Sequence, residues 1–458
     1  MISVNFISSV LGESNKKGLG QNSINNIIIN SKEILQGDCF IGLQGAMCDG
    51  GDFFISALDQ GAIGLILHKK YEALYLEVVD KYPLSWAFFV ENTKAVFIAL
   101  AKKWRSLFYI PIIVITGSVG KTTTKELIKS ILEADGHSVC ATQKSENGSI
   151  GLPLTILSMR KNHTIAVFEL GIQKIGEMDI LIDILQSVTY AIITTILPAH
   201  VLHFGTVEKI IEEKTKLQYI TRETLFIDYA FKNAVQCKNI ITFGDKEQSD
   251  VFYYSMSTKI SIEINIDKKK YFINALYHQG IHHCITAAFS LCYFLKINIR
   301  IIIAVIESFK RVNGRFSVHH LHSGGIIIND CWNAAHAAVM LKSIEAFELF
   351  PTDKKKIMVL ADMLEQGDNK EIVHNQIVEK TNTISNDLIE KIFYIGPSFK
   401  DSIKNNTNAN IIFAESFIEI SDEIYHYLDK KYCILFKGSN GMKLFYHINE
   451  YIKKEKDL

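Results

Sequence analysis

A glycine-containing loop that leads into a lysine and three threonines carries the clearest chemistry in the chain. The segment Ile112–Thr124 reads IIVITGSVGKTTT, so an apolar run precedes the loop and a helical pattern of apolar residues follows it. Gly117 and Gly120 let backbone N–H groups approach an anion. Lys121 brings a positive charge, and Thr122 brings a hydroxyl that can bind Mg²⁺. The pattern G-x-x-G-K-T lacks the first glycine of the usual loop, but with its flanking strand and helix it favours nucleotide phosphate binding over a structural turn. The residues expected to contact phosphates are Gly117, Ser118, Val119, Gly120, Lys121, Thr122 and Thr123.

Two polar residues follow later apolar runs, at points where strands are expected to end. Glu169 follows the run 165–168, and His200 lies just after the run 190–196. Ligands collect at the carboxyl ends of strands in open α/β sheets, so both side chains are expected beside the phosphate loop. A carboxylate that faces a triphosphate needs a cation between them, which favours Mg²⁺ binding by Glu169 over an ordinary strand-end carboxylate. For His200 the pattern leaves open a metal or phosphate role and a hydrogen-bonded structural role.

Lys214 interrupts an apolar helical stripe. In the segment TVEKIIEEKTKLQYI it falls at helical spacing with Ile210 and Leu217, whereas Lys216 points elsewhere. One interpretation is a structural lysine whose ammonium reaches solvent along its apolar stem. The other is an active-site lysine whose ammonium is suppressed by burial or converted to another group.

The elements that must position these residues indicate an α/β protein of three domains. We predict a small N-terminal α/β domain over residues 1–108 and a central P-loop-type mononucleotide-binding parallel sheet over 109–310. A C-terminal Rossmann-like α/β domain over 311–458 completes the chain. The strand-like runs on which this division rests are 26–29, 39–43, 63–67, 86–90, 112–115, 165–168, 190–196, 357–360, 391–395, 410–413 and 432–436.

Composition excludes several classes of protein. The 458 residues contain 49 basic and 49 acidic side chains, so no global field favours nucleic acid or an anionic membrane. The N-terminus lacks a basic leader with a full apolar core, and no window approaches the roughly 18 apolar residues of a membrane span. The 8 cysteines form no C-x-x-C pair, which is typical of reduced, buried thiols. We therefore expect a cytoplasmic protein with no nucleic-acid partner and no membrane span. We take a monomer as the expected state, although composition does not determine it.

Ordered motifs run along nearly the whole chain. They are Asn30-Ser31-Lys32, Thr116–Thr124, Ile150–Thr155, Glu169-Leu170-Gly171, Pro198-Ala199-His200, Lys214, Gly314-Arg315, Asp330-Cys331-Trp332-Asn333-Ala334, Asp362-Met363-Leu364-Glu365 and Lys437-Gly438-Ser439-Asn440-Gly441-Met442. This ordered set resembles the Mur ligase family, the ATP-dependent amide-forming enzymes of peptidoglycan precursor synthesis. Within that family, the last three motifs resemble the member that adds D-alanyl-D-alanine.

The resemblance implies a role for each matching position. Lys121 and the loop amides would hold ATP phosphates, Thr122 and Glu169 one Mg²⁺, and His200 a second. Lys214 matches the family's carbamylated lysine, in which CO₂ converts a neutral amine into an anionic oxygen ligand. The implied catalytic residues are therefore Lys121, Glu169, His200 and Lys214, with Arg315, Asp330 and Asn333 near the nucleotide and Ser31 and Asn147 at the UDP substrate.

The activity that the resemblance implies joins D-alanyl-D-alanine to UDP-N-acetylmuramoyl-tripeptide through an acyl phosphate. The first domain would bind the UDP precursor, and the last would close over the nucleotide and bind the incoming dipeptide. Some positions depart from the family pattern, because Thr286 stands where an adenine-contacting asparagine is usual and only Asn147 remains of a paired asparagine motif. Two alternatives remain, a related ligase that adds a different amino acid and a nucleotide-binding module without ligation.

Overall fold

The computed structural model describes residues 1–12, 16–18, 23–45, 48–143, 146–198, 201–255, 261–274, 281–332, 334, 336–364, 366–384, 387–404, 410–428 and 431–456. Two predicted site residues, His200 and Asn333, lie outside these ranges.

The first domain is built on a mostly parallel sheet with the strand order β2-β7-β6-β5-β4. Strands β4 to β7 run parallel, β2 pairs antiparallel with β7, and β1 and β3 form a separate antiparallel pair. The elements are β1 (Ile2–Ser3), α1 (Val4–Leu11), β2 (Lys16–Lys17), β3 (Ser23–Ile24), β4 (Ile27–Ile28), β5 (Cys39–Ile41), α2 (Phe54–Asp59), β6 (Gly64–His68), α3 (Glu72–Val78), β7 (Trp86–Val90) and α4 (Thr93–Arg105).

The central domain carries a larger sheet with the order β16-β15-β14-β13-β12-β11-β8-β10-β9. Its strands are β8 (Ile112–Thr116), β9 (Val139–Ala141), β10 (Ile165–Glu169), β11 (Val188–Ile193), β12 (Thr221–Asp228), β13 (Ile240–Gly244), β14 (Val251–Ser255), β15 (Ile262–Ile266) and β16 (Lys269–Ile273). Its helices are α5 (Lys121–Ala134), α6 (Gly151–Leu157), α7 (Glu177–Leu185), α8 (Val201–Phe204), α9 (Val207–Thr215), α10 (His282–Phe294) and α11 (Ile299–Ser308).

The central sheet is parallel from β9 to β14 but ends in an antiparallel hairpin, which the sequence analysis did not predict. The hairpin turns at Asp267 and Lys268, whose φ angles are 50° and 62°. Positive φ at both loop residues is typical of the type I′ turn that joins adjacent antiparallel strands. The hairpin extends the sheet at the end remote from β8, so it does not alter the edge that carries the phosphate loop.

The third domain is an open α/β sheet with the order β17-β18-β22-β19-β20-β21. All its neighbouring strands are parallel except the β17–β18 pair. The elements are β17 (Ser317–His320), β18 (Ile326–Asp330), α12 (Ala337–Glu348), β19 (Lys355–Ala361), α13 (Lys370–Asn382), β20 (Ile389–Ile395), α14 (Pro397–Ser402), β21 (Ile411–Ala414), α15 (Ser421–Tyr427), β22 (Tyr432–Lys437) and α16 (Leu444–Lys456).

The hydrophobic cores explain why the apolar runs form these strands. All five residues of β8 are buried, because helices cover both faces of the parallel sheet. One core joins the first domain to the central domain, since Ile2 and Trp86 belong to the same buried cluster as Val114 and Phe168. The third domain has its own cores on the two faces of its sheet. The first two domains are therefore packed as a continuous unit.

The three sheet systems fall within residues 1–108, 109–310 and 311–458, and we keep this division of the chain as a proposal. Within the part of the chain that the structure describes, no helix has the length and apolar character needed to cross a membrane.

Candidate active site

The phosphate loop lies where the topology of the central sheet changes direction. Strand β8 pairs with β10 on one side and β11 on the other. The chain leaves β8 towards β9 at one end of the sheet, returns through β10, and then crosses to β11. In an open α/β sheet such a switch point leaves a crevice at the carboxyl ends of the strands, which is the usual ligand site. Loop 117–120 occupies this crevice.

The loop conformation requires glycine at two positions. Gly117 has a φ of 146°, and a Cβ atom there would lie 1.9 Å from the hydroxyl oxygen of Thr194. Gly120 has a φ of 86° and immediately precedes helix α5. The backbone N–H of Ser118 donates to the Thr195 carbonyl over 2.9 Å, so the loop folds around the end of β11. The first turn of α5 thus opens onto the crevice, where its N–H groups favour an anion.

Two lysines meet beneath this loop. The ammonium of Lys121 lies 3.0 Å from the carbonyl oxygen of Gly117, and that of Lys214 lies 3.1 Å from the same oxygen. Burial holds the pKa of Lys214 well below its usual value, and the positive charge of Lys121 lowers it further. Burial also lowers the pKa of Lys121, which the carboxylate of Glu169 partly offsets. Sequence reasoning left two interpretations of Lys214, and the structure places its amine inside the site rather than in solvent.

Helix α9 and its continuation present Lys214 inward, as the apolar stripe predicts. Ile210 and Leu217 are fully buried and Lys214 is 3% exposed. The neighbouring Lys216 turns away and pairs with Glu213 and Asp179 at 2.5 and 2.7 Å. The pair with Asp179 joins the end of α9 to α7, and the amine of Lys214 is directed at the loop.

Glu169 ends strand β10 with its carboxylate held on one side. The side-chain amide of Asn147 donates to its Oε1 over 2.6 Å, and the N–H of Glu169 donates to the Thr142 hydroxyl over 3.0 Å. Its other oxygen, Oε2, is buried and has no hydrogen-bond partner among the described residues. Asn147 also packs closely on Gly171, since a Cβ atom added at Gly171 would lie 2.4 Å from Oδ1 of Asn147. Asn147, predicted to contact substrate, thus contacts the predicted metal ligand.

The buried Oε2 of Glu169 fits a hard divalent cation, since such ions prefer carboxylate oxygens. Thr122 lies in the first turn of α5 and lines the same crevice. Among the residues that the structure describes, no cluster of three or more His, Cys, Asp or Glu side chains could hold a metal alone. A cation here would therefore share its coordination sphere with ligand oxygens, as Mg²⁺ does when it binds nucleotide phosphates.

The third domain forms the opposite wall of a cavity of about 180 Å³. Arg315 lines this cavity, and burial lowers the pKa of its guanidinium while Glu169 and Asp330 oppose the shift. The carboxylate of Asp330 lies 2.9 Å from the ammonium of Lys437 and accepts from the hydroxyl of Ser343 over 2.8 Å. The third domain thus adds basic side chains to the crevice at the end of β8.

Most predicted site residues that the structure describes converge here. The predicted residues that line the cavity are Ser118, Val119, Gly120, Lys121, Thr122, Thr123, Arg315 and Asp330. Ser31 lies elsewhere, at the start of a short 3₁₀ helix in the first domain. Thr286 is fully buried and donates its hydroxyl to the carbonyl of His282, so it does not offer a polar group to the cavity.

Sequence reasoning missed several residues that line the cavity. Thr194 and Thr195 directly follow β11, so the strand-end rule applied to Glu169 could have identified them. His283 lies 3.0 Å from the carboxylate of Asp228, and that carboxylate also accepts from the hydroxyl of Thr195. The other missed residues include Cys284, Arg311, Lys342, Ser343 and Lys437, of which Lys437 belongs to the last matching motif in the sequence.

Comparison with known protein families and curated proteins agrees with this geometry. The family model described as the Mur ligase middle domain matches residues 115–289. The UDP-N-acetylmuramoyl-tripeptide--D-alanyl-D-alanine ligase of Bacillus subtilis (strain 168) is 29% identical, with 93% of this chain and 92% of that protein covered. The ligase of the same name from Rickettsia prowazekii (strain Madrid E) is 27% identical, with 92% and 93% covered.

Solved structures of similar fold include the MurF ligase from Thermotoga maritima in complex with ADP. It is 26% identical to this chain with a TM-score of 0.76, and the match covers 94% of this chain and 97% of that one. A crystal structure of MurF from Acinetobacter baumannii has a TM-score of 0.83 at 21% identity and covers 99% of both chains, which is a likeness of fold.

Proposed function

This chain belongs to the Mur ligase family, and we propose that it joins D-alanyl-D-alanine to UDP-N-acetylmuramoyl-tripeptide with conversion of ATP to ADP and phosphate. The observation that carries this proposal is the convergence of a phosphate loop, a buried carboxylate and a buried lysine at the end of β8. Relatives named as this ligase match over nearly the full length of the chain.

A carboxylate is a poor electrophile, so amide formation requires activation. The terminal carboxylate of the tripeptide attacks the γ-phosphorus of ATP, and the bond between that phosphorus and the β-phosphate oxygen breaks. ADP departs, and the tripeptide now carries an acyl phosphate. The amine of D-alanyl-D-alanine then attacks the acyl carbon, loses a proton, and displaces inorganic phosphate. The protein needs to align these groups and stabilise the negative charge that accumulates during phosphoryl transfer.

The loop residues supply most of that stabilisation. The N–H groups of loop 117–120 and the first turn of α5 would bind phosphate oxygens, and Lys121 would bind the β- and γ-phosphates. In the structure Lys121 instead donates to the carbonyls of Gly117 and Ser118. We propose that it exchanges these neutral acceptors for phosphate oxygens when ATP binds, because charge-assisted hydrogen bonds are the stronger ones.

We assign the metal ligands to the same crevice. Thr122 and Glu169 would hold one Mg²⁺, with Asn147 orienting the Glu169 carboxylate, and His200 would hold a second. Mg²⁺ at these positions would neutralise charge on the transferred phosphoryl group. The buried Oε2 of Glu169, which lacks a partner in the described chain, supports this assignment.

We propose that Lys214 works as a carbamate. An amine must be neutral to take up CO₂, and burial next to Lys121 favours the neutral form. The amine nitrogen forms a bond to the carbon of CO₂ and releases one proton to water. The product is an anionic oxygen ligand, which relieves the contact between two cations and adds a group that suits Mg²⁺. A lysine left as an ammonium would repel that metal.

The other proposed assignments concern the domains. The first domain, with Ser31 in a buried turn after β4, would bind the UDP precursor. The third domain would bind the dipeptide and close over the nucleotide through Arg315 and Asp330, which keeps water from the acyl phosphate. A nucleotide-linked precursor and ATP are consistent with action in the cytoplasm, and we keep a monomer as the expected state.

Product analysis tests the proposed function. Purified protein is incubated with ATP, Mg²⁺ and UDP-N-acetylmuramoyl peptides of defined length, and phosphate release is measured together with the mass of the product. We expect ligation of D-alanyl-D-alanine to the tripeptide precursor. Addition of one amino acid to a dipeptide precursor would indicate a related ligase instead, and nucleotide binding without any product would indicate a binding module.

A further inference from the structure

Lys125 is a fully buried lysine to which the proposed reaction assigns no role. It lies on α5 one turn after the phosphate loop, and its side chain is 0% exposed. Its ammonium lies 2.5 Å from the carbonyl oxygen of Thr142 and 2.6 Å from Oε1 of Glu126. The side chain therefore does not line the cavity, and its ammonium contacts the segment that follows β9.

Burial of an ammonium is costly, and an apolar side chain of similar length would fill the same space without that cost. A buried charge pair is therefore weak evidence for stability. A lysine does supply something that an apolar residue cannot, which is a directional hydrogen bond to a chosen backbone atom. Here that atom belongs to Thr142, immediately after β9.

Thr142 connects this bond to the predicted metal ligand. It is 1% exposed, and its hydroxyl accepts the backbone N–H of Glu169 over 3.0 Å. The chain that leaves Thr142 returns at Asn147, whose amide donates to the carboxylate of Glu169 and whose carbonyl accepts the N–H of Gly171. Residues 142 and 147 thus hold Glu169 by its backbone and by its side chain.

We propose that Lys125 is a positioning residue that sets Glu169 relative to the phosphate loop. Thr122 and Lys125 lie on the same helix, so the bond from Lys125 to Thr142 ties the helix that carries the loop to the segment that holds Glu169. A metal that binds Thr122, Glu169 and nucleotide phosphates together requires a set distance between Thr122 and Glu169. This inference rests on the metal site of the proposed function.

The test measures metal binding directly, in the full-length protein without turnover. Mg²⁺ is titrated by calorimetry into protein saturated with a non-hydrolysable ATP analogue, and analogue affinity is measured separately in EDTA. Outer-shell partners of metal ligands typically change metal affinity by roughly 10–100-fold. We expect Lys125→Met to weaken Mg²⁺ binding within that range while analogue affinity in EDTA stays unchanged. A purely structural role would lower thermal stability without a selective loss of metal binding.

Lys129→Met is the matched control, because Lys129 lies one turn further along α5 and pairs with Glu133 at the surface. It should leave both affinities unchanged. If Lys125→Met does not fold, Lys125→Gln replaces it, since its shorter side chain keeps a polar end but removes the ammonium that reaches the Thr142 carbonyl, and it should show the same selective loss.

The outcomes separate this inference from the proposed function. Wild-type Mg²⁺ affinity in Lys125→Met, or in Lys125→Gln where the first variant does not fold, overturns the positioning role alone. Wild-type protein that binds Mg²⁺ no better than Glu169→Gln overturns the metal site of the proposed function and this inference with it.

Discussion

Lys121 and Lys214 donate to the same backbone atom, the carbonyl oxygen of Gly117, at 3.0 and 3.1 Å. Two ammonium groups that share one acceptor repel each other, and the side chain of Lys214 is buried, whereas that of Lys121 lines the cavity. The arrangement is relieved if Lys121 turns to a phosphate or if Lys214 loses its positive charge. The proposed function includes both changes, so nucleotide binding at Lys121 or the proposed carbamate at Lys214 would each relieve this contact.

Substitution of Lys214 tests the carbamate. Lys214→Arg should lose ligation by several orders of magnitude, because a guanidinium stays positive and cannot take up CO₂. Lys214→Ala should also lose ligation, and short carboxylates such as acetate should partly restore it by occupying the vacated position. Phosphate release under saturating substrates measures both effects. Ligation by Lys214→Arg at the wild-type rate would show that Lys214 is structural.

The stability of the protein should depend on pH through Lys214. Burial, reinforced by Lys121, holds the pKa of Lys214 in the folded protein well below the 10.5 of the unfolded chain. Between these two values the unfolded chain binds one more proton, so the free energy of unfolding rises with pH, by up to ~1.4 kcal/mol per pH unit. In CO₂-free buffer, wild type should gain stability relative to Lys214→Met over this interval. Urea unfolding at several pH values from about 8 to 10 measures the difference.

Lys216→Met is the control for this measurement. Burial opposes the charged form of Lys216, but hydrogen bonds to Asp179 and Glu213 outweigh it and raise its pKa above 10.5. Its ion pairs therefore stabilise the protein throughout the interval and are lost only as pH rises through that raised pKa. An equal pH slope in wild type, Lys214→Met and Lys216→Met would contradict the assigned pKa of Lys214.

Removal of the Asn147 amide should weaken the metal site without abolishing it. Asn147→Ala leaves the carboxylate of Glu169 in place but removes the 2.6 Å hydrogen bond that orients it. We expect a roughly 10–100-fold rise in the Mg²⁺ concentration needed for half-maximal activity. Glu169→Gln should not be rescued by added Mg²⁺. If Asn147 instead contacts the UDP precursor directly, Asn147→Ala will raise the KM for that substrate at unchanged Mg²⁺ dependence.

The addition of a single methyl group at Gly117 should disrupt the phosphate loop. The added Cβ of Gly117→Ala would lie 1.9 Å from the Thr194 hydroxyl, so the loop would have to move and ATP affinity should fall at least tenfold. Gly136→Ala is a matched control, since Gly136 also has a positive φ, 92°, but a Cβ atom there would meet no described atom within 4 Å. It should cost about 1–2 kcal/mol of stability and leave nucleotide affinity unchanged. Fluorescent-nucleotide titration and thermal unfolding measure the two effects.

Sequence patterns predicted most of the framework because the relevant signals are local. Buried parallel strands are continuous apolar runs, so the predicted runs 112–115 and 165–168 correspond to β8 (Ile112–Thr116) and β10 (Ile165–Glu169). The spacing of Ile210, Lys214 and Leu217 likewise predicted that a lysine would face inward. The antiparallel hairpin at 262–273 was not predicted, because strand direction depends on which neighbour a strand pairs with.

By itself the sequence determined the phosphate loop, the strand-end carboxylate and the inward lysine, since each depends on residue type and on spacing within one element. Tertiary structure alone decided that Lys121 and Lys214, 93 positions apart in the chain, share the Gly117 carbonyl. It also decided that Thr142 and Asn147 hold Glu169 from another segment of the chain, and that the third domain brings Arg315 to the same crevice. These relationships join distant segments, and only the order and pairing of the strands bring such segments within hydrogen-bonding distance.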